Sequence, residues 1–202
     1  MGICYIVGAG DFYGSINPTK GDMIIAADGG MDTLRGLGLT PDLLVGDLDS
    51  IEQEETDVSL IRHPIEKDET DTFLSYLEGV KRGYTSFAVY GGVGGRLDHT
   101  FANISLLLYA KRRGHSMTLV DDKMSVSVIK NESVTITGDM GRGFSLLAFA
   151  GEARGVSIEC AKYCVDDATL TPEFPLGVSN SLTDKDCRIT VTDGELIFML
   201  EN

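Results

Sequence analysis

Asp47 and Asp49 follow the short apolar run Leu43-Leu44-Val45, separated from it only by Gly46. Side chains at i and i+2 of an extended segment point to the same side, so both carboxylates would face one place. Like charges brought together repel, and a cation offsets the repulsion. An all-oxygen site of this kind suits Mg2+, ordinarily in company with substrate phosphates. A second acidic cluster follows in Lys67-Asp68-Glu69-Thr70-Asp71-Thr72. Asp68 and Asp71 also have a folding role open to them, since carboxylates at a helix start satisfy free N–H groups and the helix dipole. The two clusters together point to a metal–phosphate site.

A third stretch, Gly91-Gly92-Val93-Gly94-Gly95-Arg96-Leu97-Asp98-His99, supplies the opposite charge. Four glycines after a strand let backbone N–H groups approach a phosphate closely. The Arg96 guanidinium offers a fork that matches phosphate oxygens. Gly8-Ala9-Gly10 with Gly14 is spaced one residue too widely for a dinucleotide fingerprint, and no helical pattern opens there, so it is expected to be a strand-end turn. No Walker A lysine motif, nucleophile elbow or CxxC pair occurs.

These stretches need a scaffold, and residues 1–121 read as one. Apolar runs at 3–7, 23–27, 43–45 and 87–90 look like buried strands, with short runs at 59–61 and 117–120. Helices are expected from Gly30 to about Leu37, from Asp71 to Arg82 through Phe73, Leu74, Leu77 and Val80, and after Arg96. In the last of these, Leu97, Phe101, Ile104 and Leu108 mark the expected apolar face. The fold class implied is α/β, an N-terminal Rossmann-like parallel sheet with helices on both faces. Residues 122–202 change pattern to short β-type runs at 125–129, 134–136, 144–149, 156–159, 188–192 and 196–200. They are expected to form a C-terminal all-β sandwich. Ser179-Asn180-Ser181 falls between two such runs, where its composition suits a turn.

Bulk composition excludes several classes of function. The chain has 202 residues, 43% hydrophobic and 24% charged, as an ordinary globular protein does. Its net charge of −14 argues against nucleic acid as a partner. Cys4, Cys160, Cys164 and Cys187 have no zinc-type spacing and are expected to be free, buried thiols. No run reaches membrane-spanning length, the first residues lack a secretory pattern, and Ile6 departs from the myristoylation pattern. The expected location is the cytoplasm.

In order along the chain, Asp28-Gly29-Gly30, Gly46-Asp47-Leu48-Asp49-Ser50, Asp68-Glu69-Thr70-Asp71, Gly92…Gly95-Arg96-Leu97-Asp98-His99 and Ser179-Asn180-Ser181 resemble the motifs of thiamine pyrophosphokinases. The resemblance covers nearly the whole chain. It implies transfer of the pyrophosphoryl group of ATP to the hydroxyl of thiamine, releasing AMP, in a homodimer with shared active sites. It further implies Mg2+ on Asp47, Asp49 and Asp71, with Asp71 or Asp98 as candidate base for the hydroxyl. Asp28, Gly29, Lys67, Asp68, Thr70, Gly92, Gly95 and Arg96 would surround ATP. Asp98, His99, Ser179, Asn180 and Ser181 would lie near thiamine. The chain has no tryptophan, whereas some members stack one on the pyrimidine; Phe174 or another C-terminal aromatic is the expected substitute. Two other functions share this pattern: a pyrophosphokinase acting on a pterin alcohol, and a non-catalytic nucleotide or thiamine sensor.

Overall fold

The computed structural model describes residues 2–46, 59–62 and 69–202. Its chain packs as two compact units, residues 1–122 and 123–202, in a mixed α/β fold.

In the first unit, β1 (Cys4–Val7), β2 (Met23–Ala27), β3 (Leu43–Gly46), β4 (Ser59–Arg62), β5 (Ser86–Tyr90) and β6 (Ser116–Val120) lie in the order β6-β5-β1-β2-β3-β4. Every pairing among them is parallel. The central strands are short and apolar along their whole length because the sheet is covered on both faces. Helix α1 (Gly30–Gly36) puts Met31 and Leu34 into a cluster with Val7, Ile24, Ala26 and Leu44. The opposite face takes α2 (Asp71–Lys81), where Gly79 lies close over Phe87 and Cys4. Helix α3 (Leu97–Arg112) packs on β6 and touches α2 through the edge-to-face pair Phe73–Tyr109, 4.9 Å between centroids. Its buried face is Asn103, Leu106, Leu107, Leu108 and Ala110. That corrects the expected stripe: Leu108 is buried, but Leu97 is 70% exposed and Phe101 48%. Both stand within the first five residues of α3, and the sheet instead takes the residues that follow.

The second unit is antiparallel throughout. One sheet runs β12-β9-β14-β7, from β7 (Met124–Lys130), β9 (Gly143–Ala148), β12 (Gly177–Ser181) and β14 (Glu195–Glu201). The other runs β11-β10-β13-β8, from β8 (Ser133–Thr137), β10 (Ala153–Glu159), β11 (Val165–Leu170) and β13 (Asp186–Thr190). One core draws on both, including Ile129, Phe144, Leu146 and Leu196 from the first and Ile136, Val156, Leu170 and Ile189 from the second. Strands β11 and β12 have no counterpart among the expected runs. Both are edge strands with polar, partly exposed residues, so neither shows an apolar alternation.

Only two of the four thiols are buried. Burial pushes Cys4 up to about 12 and Cys187 up to about 11. Cys160 and Cys164 are exposed, against expectation, because they flank the turn between β10 and β11. Among the described residues, no helix is long and apolar enough to cross a membrane.

Candidate active site

Strand order reverses between β1 and β5: β2, β3 and β4 extend to one side of β1, β5 and β6 to the other. A parallel α/β sheet opens a crevice at its carboxyl edge at such a point. Here that crevice is a cleft of about 300 Å3. Gly8, Ala9 and Gly10 from the end of β1 line it, with Ala27 and Asp28 from the end of β2. Thr70, Asp71 and Thr72 enter from the start of α2, Gly91, Gly92, Gly94, Gly95 and Arg96 from the β5–α3 turn, and His99 from the first turn of α3.

Backbone packing builds the floor. The Gly8 N–H donates to the Tyr90 carbonyl at 2.8 Å, and the Gly10 N–H to the Gly91 carbonyl at 3.1 Å, so the ladder continues past both strands. A Cβ on Gly91, which has φ +63°, would lie 2.7 Å from the Gly8 oxygen and 2.9 Å from that of Gly10. Asn103, buried on α3, donates its amide to the Gly92 carbonyl at 2.7 Å and so ties the glycine turn to the helix. Asp28 adopts φ +49°, a left-handed conformation unusual for a residue with a side chain. Its N–H donates to the Val45 carbonyl at 2.9 Å, and Gly46, the last residue before Asp47, packs on its Cα.

Two helix N-termini open on this cleft. Thr70 caps α2, its hydroxyl accepting the Phe73 N–H at 3.2 Å, and Asp71 occupies the first turn. Arg96 stands at the N-cap of α3 without capping it by its side chain. N–H groups and helix dipoles of this kind attract anions. The Arg96 guanidinium instead pairs with Asp98, Nη2 to Oδ2 at 2.6 Å and Nε to Oδ1 at 3.1 Å. This bond, above the other causes, draws the Asp98 carboxyl down to about 2.

A second pocket, of about 380 Å3, lies within the C-terminal unit. Ile158, Val165, Leu170, Leu176 and Val178 make it largely apolar, while Tyr163, Ser179 and Asn180 bring polar groups to its wall. Ser179 has φ +60°, and its N–H donates to the Ser145 hydroxyl at 3.1 Å. The Ser181 carbonyl accepts the Lys162 N–H at 2.9 Å.

Of the residues expected to do chemistry, Asp28, Thr70, Asp71, Gly92, Gly95, Arg96 and His99 meet in the first cleft. Gly29 stands behind it, against Ala9. Asp98 is engaged with Arg96 and does not line the cleft. Ser179 and Asn180 share the second pocket, and Ser181 follows them in β12. Asp47, Asp49, Lys67 and Asp68 lie outside the described residues. Among those described, no cluster of three or more metal-ligating side chains occurs. Residues 8–10 line the cleft rather than forming only a strand-end turn, and their position after a buried strand was the available signal. Asn103 and Tyr163 were not anticipated. An amide inside the apolar run of α3 was the one cue for Asn103.

Comparison with known proteins bears on both units. The family model for the thiamin pyrophosphokinase catalytic domain matches residues 18–119, and that for the vitamin B1 binding domain of thiamin pyrophosphokinase matches residues 125–196. A thiamine pyrophosphokinase of Bacillus subtilis is 26% identical over 182 residues, covering 87% of this chain and 85% of its own. Similar folds occur in the crystal structures of the thiamine pyrophosphokinase from Bacillus subtilis (TM-score 0.88, 23% identity, 99% of both chains) and of yeast thiamin pyrophosphokinase (0.79, 16%, 99% of this chain and 86% of that one).

Proposed function

Because the chain belongs to the thiamin pyrophosphokinase family, whose activity is the ATP-dependent pyrophosphorylation of thiamine, we infer that the N-terminal cleft holds ATP and the C-terminal pocket receives thiamine. The observation that carries this reading is the convergence of glycine backbone, two helix N-termini and Arg96 at the β1/β5 switch point. Such a cleft suits a polyphosphate, whereas the second pocket, apolar with a few polar groups, suits a flat heterocycle.

The reaction joins the thiamine hydroxyl oxygen to the β-phosphorus of ATP, breaks the bond from that phosphorus to the AMP oxygen, and releases the hydroxyl proton. Most of such catalysis is positioning and neutralisation of charge. Residues 91–95 cradle the phosphates by their N–H groups, Arg96 pairs with phosphate oxygens, and Asp28, Thr70 and His99 complete the wall. Asp47, Asp49 and Asp71 would hold Mg2+. Carboxylate oxygens are the donors that ion prefers, and Asp71 stands at the cleft wall. When bound, the ion neutralises phosphate charge.

In this reading residues 1–121 are a Rossmann-like catalytic domain and residues 122–202 a β-sandwich that binds thiamine. Two such chains form a homodimer in which each site combines the N-terminal domain of one protomer with the C-terminal domain of its partner. The buried free thiols Cys4 and Cys187 suit a reducing cytoplasm.

Mass spectrometry of reactions with Mg-ATP tests the assignment. AMP should form only when thiamine is added, together with thiamine diphosphate. AMP release with a hydroxymethyl pterin in place of thiamine would move the enzyme to the other acceptor, and binding of both ligands without AMP would make it a sensor.

A further inference from the structure

Asn180 is 5% exposed and lies on the wall of the C-terminal pocket. Its side chain is already engaged within the chain. Oδ1 accepts the Tyr163 N–H at 3.0 Å and the Ser181 N–H at 2.9 Å, while Nδ2 donates to the Tyr163 carbonyl at 2.8 Å. Both acceptor positions of the amide and one of its two donors are therefore spent. A single side chain thus pairs with both backbone groups of Tyr163, as a neighbouring strand would. Tyr163 itself belongs to the turn between β10 and β11 and, 56% exposed, lines the same pocket.

We propose that Asn180 acts on thiamine through Tyr163: its amide fixes the backbone on which Tyr163 stands, so Asn180 is a positioning residue rather than a thiamine ligand. The inference rests on thiamine occupying this pocket. Neighbouring bonds serve the same junction, since the Lys162 N–H reaches the Ser181 carbonyl and the Thr183 N–H the Cys160 carbonyl at 3.1 Å. Those are backbone bonds that any sequence could make. The Tyr163 N–H and C=O depend on the Asn180 amide, and burial makes its loss costly.

A double-mutant cycle on the full-length enzyme decides the matter, with Asn180→Ala and Tyr163→Ala alone and combined. Asn180→Ala should raise the KM for thiamine about tenfold or more, the scale of an unpaired buried group, with the KM for ATP unchanged. In the Tyr163→Ala background the same substitution should add little. An equal rise in both backgrounds would make Asn180 a direct ligand and overturn the proposal, as would no rise in either. If Tyr163→Ala leaves the KM for thiamine unchanged while Asn180→Ala raises it, the proposal fails and the pocket assignment stands; if neither substitution raises it, the underlying assignment fails with the proposal. Should Asn180→Ala not fold, Asn180→Leu takes its place in the cycle, because it fills a similar volume and loses all three amide bonds, including the acceptor of the Tyr163 N–H. Hydrogen exchange at the Tyr163 amide of that variant, faster than in the wild type, would report the loosened backbone, and unchanged exchange would count against the clamp.

Discussion

The Asp98 carboxylate meets the Arg96 guanidinium side on, with two bonds of 2.6 and 3.1 Å, and the oxygen at the longer one also accepts the His99 N–H at 3.0 Å. Asp98 thus sets where Arg96 points at the mouth of the N-terminal cleft. The acid's titration is depressed chiefly by the hydrogen bond from Arg96, so the pairing is complete above the ordinary carboxylate range and is lost as pH falls toward 2. Across the neutral range Asp98 should contribute no pH dependence to ATP binding. Carbon NMR of its carboxyl should show a midpoint of about 2, and an ordinary carboxylate midpoint would mean that the pair does not form in solution. Asp98→Asn should raise the KM for ATP several-fold, and less so at high salt, because both side chains are exposed.

Gly91 and Gly94 both have positive φ, yet their substitutions should differ sharply. A Cβ at Gly94 meets nothing within 4 Å, so Gly94→Ala should cost only the ~1–2 kcal/mol of the left-handed conformation. Gly91→Ala carries the same strain and also presses on the Gly8 and Gly10 carbonyls, which should add ~1–3 kcal/mol of overpacking. Urea unfolding of the two variants would show it, and equal losses would contradict the close approach of β1 and β5.

Asn103→Leu removes the donor to the Gly92 carbonyl within a buried environment. Stability should fall by ~1–3 kcal/mol. The KM for ATP should rise with it, since the glycine turn loses its tie to α3. A variant that loses stability but keeps its ATP affinity would show that the turn holds its shape without Asn103.

Asp71→Asn tests the metal assignment. Thr70, not Asp71, caps α2 through its side chain, so the fold should survive. Turnover should drop by ~10²-fold, the scale seen when charge stabilisation is removed from an active site. Asp49→Asn should behave alike if the two carboxylates share one ion. Turnover near normal for either would take that residue out of the site, and activity that persists after chelation would exclude Mg2+ altogether.

The Tyr76 hydroxyl and His115 Nδ1, 2.7 Å apart, make a useful control. Tyr76 is fully buried, so Tyr76→Phe should cost ~1 kcal/mol of stability. Neither residue lines the cleft, and both KM values should stay unchanged. A kinetic effect would reveal coupling from this cluster to the site.

Much of the first unit was legible in the sequence. Cys4–Val7, Met23–Ala27 and residues 87–90 of β5 are apolar because strands covered on both faces must be, and α2 showed itself by its spacing and by Gly83 at its end. Glycines and acids following such strands marked the carboxyl edge, where Asp28, residues 91–96 and Asp71 gather. Each of these signals is local: burial dictates residue type, and the distance between strand and turn is a few residues. The face of α3 was misread because apolar spacing names two candidate stripes, and only the position of β6 chooses between them.

What the tertiary structure alone decided are relationships between residues far apart in the chain. Strand order put β5 beside β1 and so joined residues 8–10 to residues 91–96, although some eighty positions separate them. It also set Asn180 against Tyr163, seventeen residues away, across the corner between two edge strands whose polar composition hid them. Hydrophobic pattern reports whether a segment is buried, because burial is a property of the segment. It does not report which segment lies alongside, because that is settled by how all the buried faces pack together at once.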